Sequence, residues 1–337
     1  MVSSWISKKI SQNLWPVFWQ FYKIVRKEPL RVEQPTLKLN QFWSDKYSQS
    51  YSNKKFQVPY NVWKAMTDPL VLRQHDVKGH YNNVADNYDD YFMEIHDAQL
   101  QSVVEKLDLQ PHHVMVDVGS GTCRFAEEVF KFAQLQNPIL CVEPFAEMLA
   151  KAKGRKGVLP VLRDGEEFFN DASLCGWFDR VLFIQSYHHL QEPLSVLKNI
   201  ERSLRSGGIC SIWNLTSHSG FEMFSRVTQA KRYSSSRHDE TYRLLEKANF
   251  EVEKLEVHLT YALTKSKLYS MLRGRFISNL YELTDQEIED GIEILEQNGL
   301  KSLQQDDIYE NKATYLVIQG KKVNNANNNT PTQNGSL

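Results

Sequence analysis

The sequence predicts an α/β protein with a Rossmann-like, doubly wound seven-stranded sheet, mostly parallel with an antiparallel last strand, plus a helical insertion and an N-terminal helical extension. Two observations predict this fold class. Short apolar runs alternate with segments of helical periodicity from about residue 76 to residue 322. Most of these runs are continuously apolar, which is typical of strands buried on both faces of a parallel sheet. Right-handed crossovers then place helices on both faces of that sheet.

The elements of the first half each have a local signal. The helix after the first strand carries an apolar stripe at Phe125, Val129, Phe132 and Leu135. Pro160 indicates that the third strand lies at an edge of the sheet or at a bulge, because proline cannot donate a ladder hydrogen bond. The predicted order is a strand at 113–119, a helix at 124–135, a strand at 138–144, a helix at 145–153, strands at 157–164 and 178–186, a helix at 193–208 and a strand at 209–215.

The second half adds two strands and an insertion. A helix and a strand occupy 239–259, with Asn249 at the C-cap position of the helix. The final strand covers 313–322. Between these strands we expect a mostly helical insertion at about 260–310, with helices at 266–280 and 284–299. Thr284 and Glu287 predict a capping box at the start of the second of these helices.

Both ends of the chain differ from this core. Residues 1–75 form an aromatic and basic extension with five of the seven tryptophans, and its first 27 residues contain no acidic side chain. The amphipathic pattern fits three roles: a cover on the domain, a membrane-surface anchor or an organelle-targeting segment. Residues 76–322 form the α/β domain. The Asn-rich tail at 323–337 is expected to be disordered, because it has almost no apolar side chains to bury.

Composition excludes several classes of function. The formal net charge of the 337 residues is −1, which disfavours a nucleic-acid binder because no global basic field attracts a polyanion. No apolar run is long enough to span a bilayer, so a cytoplasmic location is expected, with membrane association or organelle targeting as alternatives. No metal site is expected, because neither the cysteines nor the histidines have the spacing of metal ligands. The cysteines are Cys123, Cys141, Cys175 and Cys210.

The glycine turn after the first strand, VDVGSGTCRFA at 116–126, indicates the kind of ligand. A dinucleotide-binding turn needs a third glycine for close helix–strand packing, and Arg124 stands at that position. An adenosyl amino acid has no phosphate and does not need that glycine. Gly119 and Gly121 leave room for the backbone to approach the ribose and amino-acid portions of such a ligand.

Carboxylates at three successive strand ends support the same ligand. Asp117 places negative charge near an ammonium group, and Glu143 can accept hydrogen bonds from both ribose hydroxyls. Asp164 can accept from an adenine amino group, while the amide of Gly165 faces a ring nitrogen. The alternative for any single one of these acids is a helix N-cap.

These motifs resemble the class I S-adenosylmethionine-dependent methyltransferases, in the small-molecule group around the ubiquinone and trans-aconitate enzymes. The resemblance covers about residues 80–322 and is carried by VDVGSGT, CVEP, RDGEEF and FDRVLFIQSYHHL. It implies S-adenosylmethionine as cofactor and a helix at 81–92 that closes over it, lined by Tyr81 and Tyr88, with ordinary core packing as the alternative for both tyrosines. Cys123 departs from the pattern, since glycine commonly follows the threonine, and we expect tighter packing there. The implied cofactor-binding residues are Asp117, Gly119, Ser120, Gly121, Glu143, Pro144, Asp164, Gly165, Gln185, Tyr81 and Tyr88.

Candidate acceptor residues follow the fourth and fifth strands. Tyr187, His188 and His189 are the catalytic candidates, and in an extended segment only one of the two histidines faces the site. Structural hydrogen bonding is the alternative role for this pair. Trp213 and Asn214 are expected to line the acceptor pocket.

The inserted helices supply a further pair of candidates. Arg273 and Arg275 resemble a position at which related enzymes for small acids hold their substrate, and arginine can grip a carboxylate with two hydrogen bonds. Solvated helix charge is the alternative reading of both residues.

The sequence therefore predicts an enzyme that transfers a methyl group from S-adenosylmethionine to a small-molecule acceptor by in-line displacement. One alternative is a methyltransferase that acts on a lipid or protein at a membrane surface, with peripheral contact through residues 1–27. Another is a catalytically silent protein that binds S-adenosylmethionine.

Overall fold

The computed structural model describes residues 79, 81, 84–218, 238–277, 280 and 283–323 of the chain. The predictions for the extension at 1–75, including membrane contact through residues 1–27, lie outside the described residues. So does the predicted disorder of the tail beyond residue 323.

The described elements alternate between helix and strand through most of the domain. The helices are α1 (Tyr88–Lys106), α2 (Arg124–Phe132), α3 (Ala146–Ala150), α4 (Gly165–Phe169), α5 (Pro193–Ser203), α6 (helical residues 238–247), α7 (Lys265–Arg273) and α8 (Asp285–Gln297). The strands are β1 (Met115–Val118), β2 (Ile139–Glu143), β3 (Val158–Leu162), β4 (Phe178–Ile184), β5 (Leu204–His218), β6 (Phe250–Thr264) and β7 (Ile308–Lys322).

The strands form one sheet of seven in the order β3-β2-β1-β4-β5-β7-β6. The first five pair in parallel, and β7 runs antiparallel between β5 and β6. This confirms the predicted fold class, including the antiparallel last strand. β2 and β4 are the neighbours of β1 on its two sides, so the strand order reverses direction between β1 and β4. Sheets of this kind bind ligands in the crevice outside the carboxyl ends of the strands at such a point.

The core follows the apolar runs seen in the sequence. Every residue of β1 and β2 is buried, as expected for strands that helices cover on both faces. Pro160 lies in β3, which is the edge strand that the proline predicted. In α2, Phe125 and Val129 are buried, but Phe132, the last residue of the helix, is 52% exposed.

The last two strands are longer than predicted. β6 and β7 pair over 15 residues each, from Phe250 opposite Lys322 to Thr264 opposite Ile308. Val257 is buried and its chain neighbours are exposed, an alternation that continues to the end of β6. The segment at 266–280 was predicted to be one helix. In the structure, helix α7 ends at Arg273, and Arg275 has a φ of 50°.

The capping box of α8 is confirmed. The backbone N–H of Glu287 donates to Thr284 Oγ1 at 3.2 Å, and the backbone N–H of Thr284 donates to Glu287 Oε2 at 2.8 Å. Among the described residues, no helix has the length and apolar character that crossing a bilayer requires.

Candidate active site

The glycine turn after β1 packs tightly against the turn after β4. Gly119 has a φ of 72°, in the left-handed region, and its N–H donates to the carbonyl of Val142 at 2.7 Å. A β-carbon added at Gly119 would lie 2.3 Å from Cβ of Ser186. The Ser186 hydroxyl donates to the carbonyl of Val118. The turn therefore requires glycine for both its backbone conformation and its contact with Ser186.

The second glycine of the turn lies under a tyrosine. Gly121 has a φ of 57°, and an added β-carbon would lie 3.5 Å from Cε1 of Tyr88 and 3.2 Å from Cε of Met148. Its backbone N–H donates to Glu143 Oε2 at 2.8 Å. Ser120, between the two glycines, places its N–H 3.3 Å from the carbonyl of Val142.

Cys123 occupies a backbone conformation that favours glycine. It is the N-cap of α2 with a φ of 59°, and its side chain is fully buried, with Sγ 3.7 Å from Oγ of Ser120. The left-handed conformation costs a residue with a β-carbon about 1–2 kcal/mol. This explains why glycine commonly stands at that position in the family that the motif resembles. The expected packing of the thiol is present, and the conformational cost accompanies it.

The carboxylates of Asp117 and Glu143 lie close together in the interior. Each residue is 4% exposed. Burial raises the pKa of Glu143 to about 7, although hydrogen bonds from the N–H groups of Gly121 and Phe145 partly offset this effect. Burial and the nearby charge of Glu143 raise the pKa of Asp117 to about 7. We call Asp117 and Glu143 the acid seat. Both carboxyl groups are costly to ionise until a bound cation stabilises their negative charge.

Cofactor affinity should therefore rise with pH. A cationic ligand favours the ionised carboxylates, so binding should release protons, and affinity should increase about tenfold from pH 6 to pH 8 for each carboxyl that must ionise. Calorimetry with S-adenosylmethionine in buffers of different ionisation enthalpy measures both the affinity and the number of protons released on binding. Asp117→Asn should flatten the profile. Affinity that does not change with pH in the wild-type protein would contradict the seat.

The raised pKa values of Asp117 and Glu143 also determine how the stability of the unliganded protein depends on pH. A carboxyl whose pKa is higher in the folded than in the unfolded state binds more protons when folded. The unliganded protein should therefore lose stability as pH rises from about 4 through 7.

Tyr81 and Tyr88 bring the start of the first described helical segment to this seat. Burial raises the pKa of Tyr88, and the charges of Glu143 and Asp117 raise it further. Tyr81 stacks on Phe145 with ring centroids 5.1 Å apart, and its hydroxyl lies 3.5 Å from Nε2 of His189. The structure thus gathers the two predicted lining tyrosines and the two buried acids around the glycine turn.

The third predicted acid occupies a different environment. Asp164 is exposed and caps α4, accepting the N–H of Glu167 at 2.8 Å on Oδ1. Its role as a helix cap, the alternative weighed for each acid, is therefore present, and its contact with adenine stays a prediction. Gly165 is buried, and an added β-carbon would lie 3.0 Å from Cγ1 of Val118. Pro144 is half-buried in the turn from β2 into α3.

The segment after β4 forms a turn, and the prediction that it is extended is wrong. Tyr187–His189 is a 3-10 helix, and the ring centroids of His188 and His189 lie 4.0 Å apart. The two imidazoles therefore do not point to opposite sides, and His189 is the one next to Tyr81. Tyr187 is buried against Phe183 with ring centroids 5.6 Å apart, which places it in the core.

Gln185 precedes this turn with two unusual features. Its φ is 54°, while its backbone N–H donates to the carbonyl of Trp213 at 3.0 Å. Its side-chain Nε2 is buried and has no hydrogen-bond partner within the described part of the chain. A buried amide donor that lacks a partner is costly, and contact between Gln185 and the cofactor stays a prediction.

Of the two predicted acceptor-binding residues in β5, Trp213 has a side-chain partner within the protein. Trp213 is fully buried, and its indole N–H donates to Oγ of Ser211 at 3.0 Å, so the structure places it in the core instead of a pocket wall. Asn214 is half-buried on the opposite face of β5.

The two arginines of the insertion are also engaged. Arg273 donates to both carboxylate oxygens of Glu289 at 2.7 and 2.8 Å. Arg275 donates to the carbonyl of Leu283 at 3.0 and 3.2 Å and to Asp285 at 2.6 Å. These contacts stabilise the insertion, and substrate binding by either arginine stays a prediction.

Phe145 and Ser186 also shape the site, and no motif in the sequence points to either residue. Ser186 contacts the turn after β1, and Phe145 contacts Tyr81, which lies before the first strand, so no local pattern shows either contact. Their only signal in the sequence is position, since each lies within three residues after a strand end. Among the described residues, no cluster of three or more histidine, cysteine or acidic side chains could hold a metal ion.

Comparison with known proteins agrees with this geometry. Residues 116–212 match the family model described as a methyltransferase domain. No protein of curated function matches the chain.

Several solved structures resemble the chain. YcgJ from Bacillus subtilis is 15% identical, with 67% of this chain and 98% of that chain covered and a TM-score of 0.44. A methyltransferase from Thermotoga maritima is 19% identical, with coverage of 72% and 98% and a TM-score of 0.40. Phosphoethanolamine N-methyltransferase 2 from Haemonchus contortus, solved with phosphomonomethylethanolamine and S-adenosylhomocysteine, is 14% identical, with coverage of 74% and 59% and a TM-score of 0.45.

The matched residues run from the glycine turn through the ends of β2 and β4 to β5, and they include both buried acids. The residues present fit an adenosyl amino acid, because a paired-carboxylate seat and two glycines meet beneath two tyrosines. Residues 116–212 therefore form a methyltransferase domain, and the chain is an enzyme that uses S-adenosylmethionine as its cofactor.

Proposed function

We propose that this methyltransferase transfers the methyl group to a small-molecule acceptor that binds beside His189. The observation that carries the proposal is the position of Tyr81. Its ring stacks on Phe145 after β2, and its hydroxyl lies 3.5 Å from Nε2 of His189 after β4. One side chain thus bridges the turns that follow two strands at the site, which favours an acceptor small enough to pass it.

For this reaction the protein mainly has to align the acceptor with the methyl group. When bound, S-adenosylmethionine supplies a methyl group on a positively charged sulfur, which a nucleophile displaces in line. The protein orients the acceptor and excludes water. Desolvation lowers the pKa of His189, so its imidazole is neutral at pH 7 and can accept a proton from an acceptor that must lose one.

A labelled-methyl experiment tests the size of the acceptor. The purified full chain is incubated with methyl-labelled S-adenosylmethionine and, separately, with a metabolite fraction, lipid vesicles and a protein extract. We expect the label in products of low mass. Label confined to the lipid or protein fraction would overturn the proposal and favour the membrane-surface alternative. Label in none of the three fractions would favour the catalytically silent alternative.

Two adjacent histidines provide a matched pair for the acceptor site. His189→Ala should lower turnover of the labelled acceptor, while cofactor affinity stays within about twofold because His189 lies outside the acid seat. His188→Ala is the control and should retain turnover. Equal turnover in both variants would remove His189 from the acceptor site. A cytoplasmic location and membrane contact through residues 1–27 stay predictions.

A further inference from the structure

We propose that Arg155 is a positioning residue for the cofactor, because it fastens the first turn of α1 to the glycine turn. Arg155 lies between α3 and β3, outside the seat itself. The inference rests on the cofactor and is independent of the acceptor. Nothing in the local sequence around Arg155 indicates this role.

The guanidinium of Arg155 joins three parts of the chain. Its Nε donates to the carbonyl of Thr122 at 2.8 Å, within the glycine turn. One terminal nitrogen donates to Asp89 Oδ2 in the first turn of α1, and the other donates to Glu127 Oε2 in α2 at 3.3 Å. Thr122 Oγ1 donates to the remaining oxygen of Asp89. We call Asp89, Thr122, Glu127 and Arg155 the α1 clasp.

The α1 clasp acts on the residue that covers the seat. Asp89 directly follows Tyr88, and the Tyr88 ring lies against Gly121. Thr122 directly follows Gly121. The clasp therefore holds the chain neighbours of both contacting residues and fixes the distance between the tyrosine ring and the glycine turn. A ligand enclosed by these groups pays less ordering free energy when that arrangement already exists.

Burial gives the clasp more weight than a surface ion pair. The Arg155 side chain is 16% exposed, that of Glu127 is 13% exposed and that of Asp89 is 37% exposed. By contrast, Lys151 pairs with Asp86, whose side chain is 86% exposed, and such exposed pairs contribute little. Both pairs tether the same end of α1, so the Lys151–Asp86 pair is a matched control.

The body of α1 is held independently of Arg155. Arg124 pairs with Asp97 at 2.9 Å, and Lys267 pairs with Glu94 at 2.7 Å. Tyr91 and Ile95 are buried on the inner face of the helix. Removal of Arg155 should therefore loosen the first turn of α1 and leave the fold intact.

The test is a double-mutant cycle on cofactor binding, with S-adenosylmethionine as the probe. Arg155→Gln and Asp89→Asn should each weaken binding about tenfold and speed cofactor dissociation, because each removes a charge-assisted contact of the clasp. The double variant should be no weaker than about tenfold, since both changes break the same contact. Arg155→Lys should restore part of the affinity.

The controls separate positioning from general stability. Lys151→Gln should bind S-adenosylmethionine within about twofold of the wild-type protein. The unliganded Arg155→Gln protein should have a somewhat lower urea midpoint than Lys151→Gln but remain fully folded without urea, so lost stability should not account for its weaker binding. Additive effects in the cycle, wild-type affinity in Arg155→Gln, or an affinity loss fully explained by a lower urea midpoint would each overturn the proposal. Thr122→Val, which keeps the carbonyl and removes the hydroxyl, should show a smaller loss than Arg155→Gln.

Discussion

Replacement of Glu143 by alanine is expected to weaken S-adenosylmethionine binding by roughly 100- to 10,000-fold. Glu143 ends β2, is 4% exposed, and accepts backbone N–H groups from Gly121 and Phe145 at 2.8 and 3.1 Å. A carboxylate offers about four acceptor sites, so it can bind ribose hydroxyls in addition to these two groups. Each hydrogen bond to a charged group contributes about 1.5–3 kcal/mol, and two such bonds give the expected loss.

Calorimetry with S-adenosylmethionine measures this loss directly. Glu147→Ala is the matched control, since Glu147 is exposed in the next helix and should bind the cofactor normally. Glu143→Gln should also bind weakly, because its amide nitrogen cannot accept the N–H of Gly121 or Phe145. Affinity that is unchanged in Glu143→Ala would contradict the role of this carboxylate.

The second large effect is expected from Gly119→Ala, which should lower the free energy of unfolding by more than about 3 kcal/mol. The new β-carbon would meet Cβ of Ser186 at 2.3 Å, in backbone that already has a φ of 72°. Either β1 or the turn after β4 must move, and both carry the site. Cofactor binding should be lost together with stability.

Gly176→Ala separates the cost of backbone strain from the cost of the clash with Ser186. Gly176 has a φ of 67°, and an added β-carbon would meet nothing within 4 Å, so this variant should lose only about 1 kcal/mol through backbone strain. Urea unfolding measures both variants. Ser186→Gly should recover part of the stability of Gly119→Ala by removing the opposing β-carbon. Equal losses in Gly119→Ala and Gly176→Ala would show that the two turns do not pack as closely as described.

Local patterns in the sequence were sufficient to predict most of the fold. Continuous apolar runs, proline in the edge strand and the Thr284–Glu287 capping box all operate within a few residues, and the structure has them. The glycine turn and the acid that ends β2 could also be identified, because the carboxyl ends of parallel strands meet at one edge of a sheet. The family model confirms the cofactor that these residues predicted.

Contacts between distant segments needed the tertiary structure. Arg155 and Asp89 are 66 residues apart, and Ser186 lies 68 residues from the carbonyl that it binds. Trp213 follows the period of a strand, yet only its neighbours show that it faces the core.

The sequence by itself thus determined the kind of sheet and the acids at its edge, because periodicity and turn chemistry are local. The tertiary structure decided which cation fastens α1, which histidine meets Tyr81 and how far β6 and β7 pair. The physical reason is that packing selects among partners that are equally compatible with the local sequence.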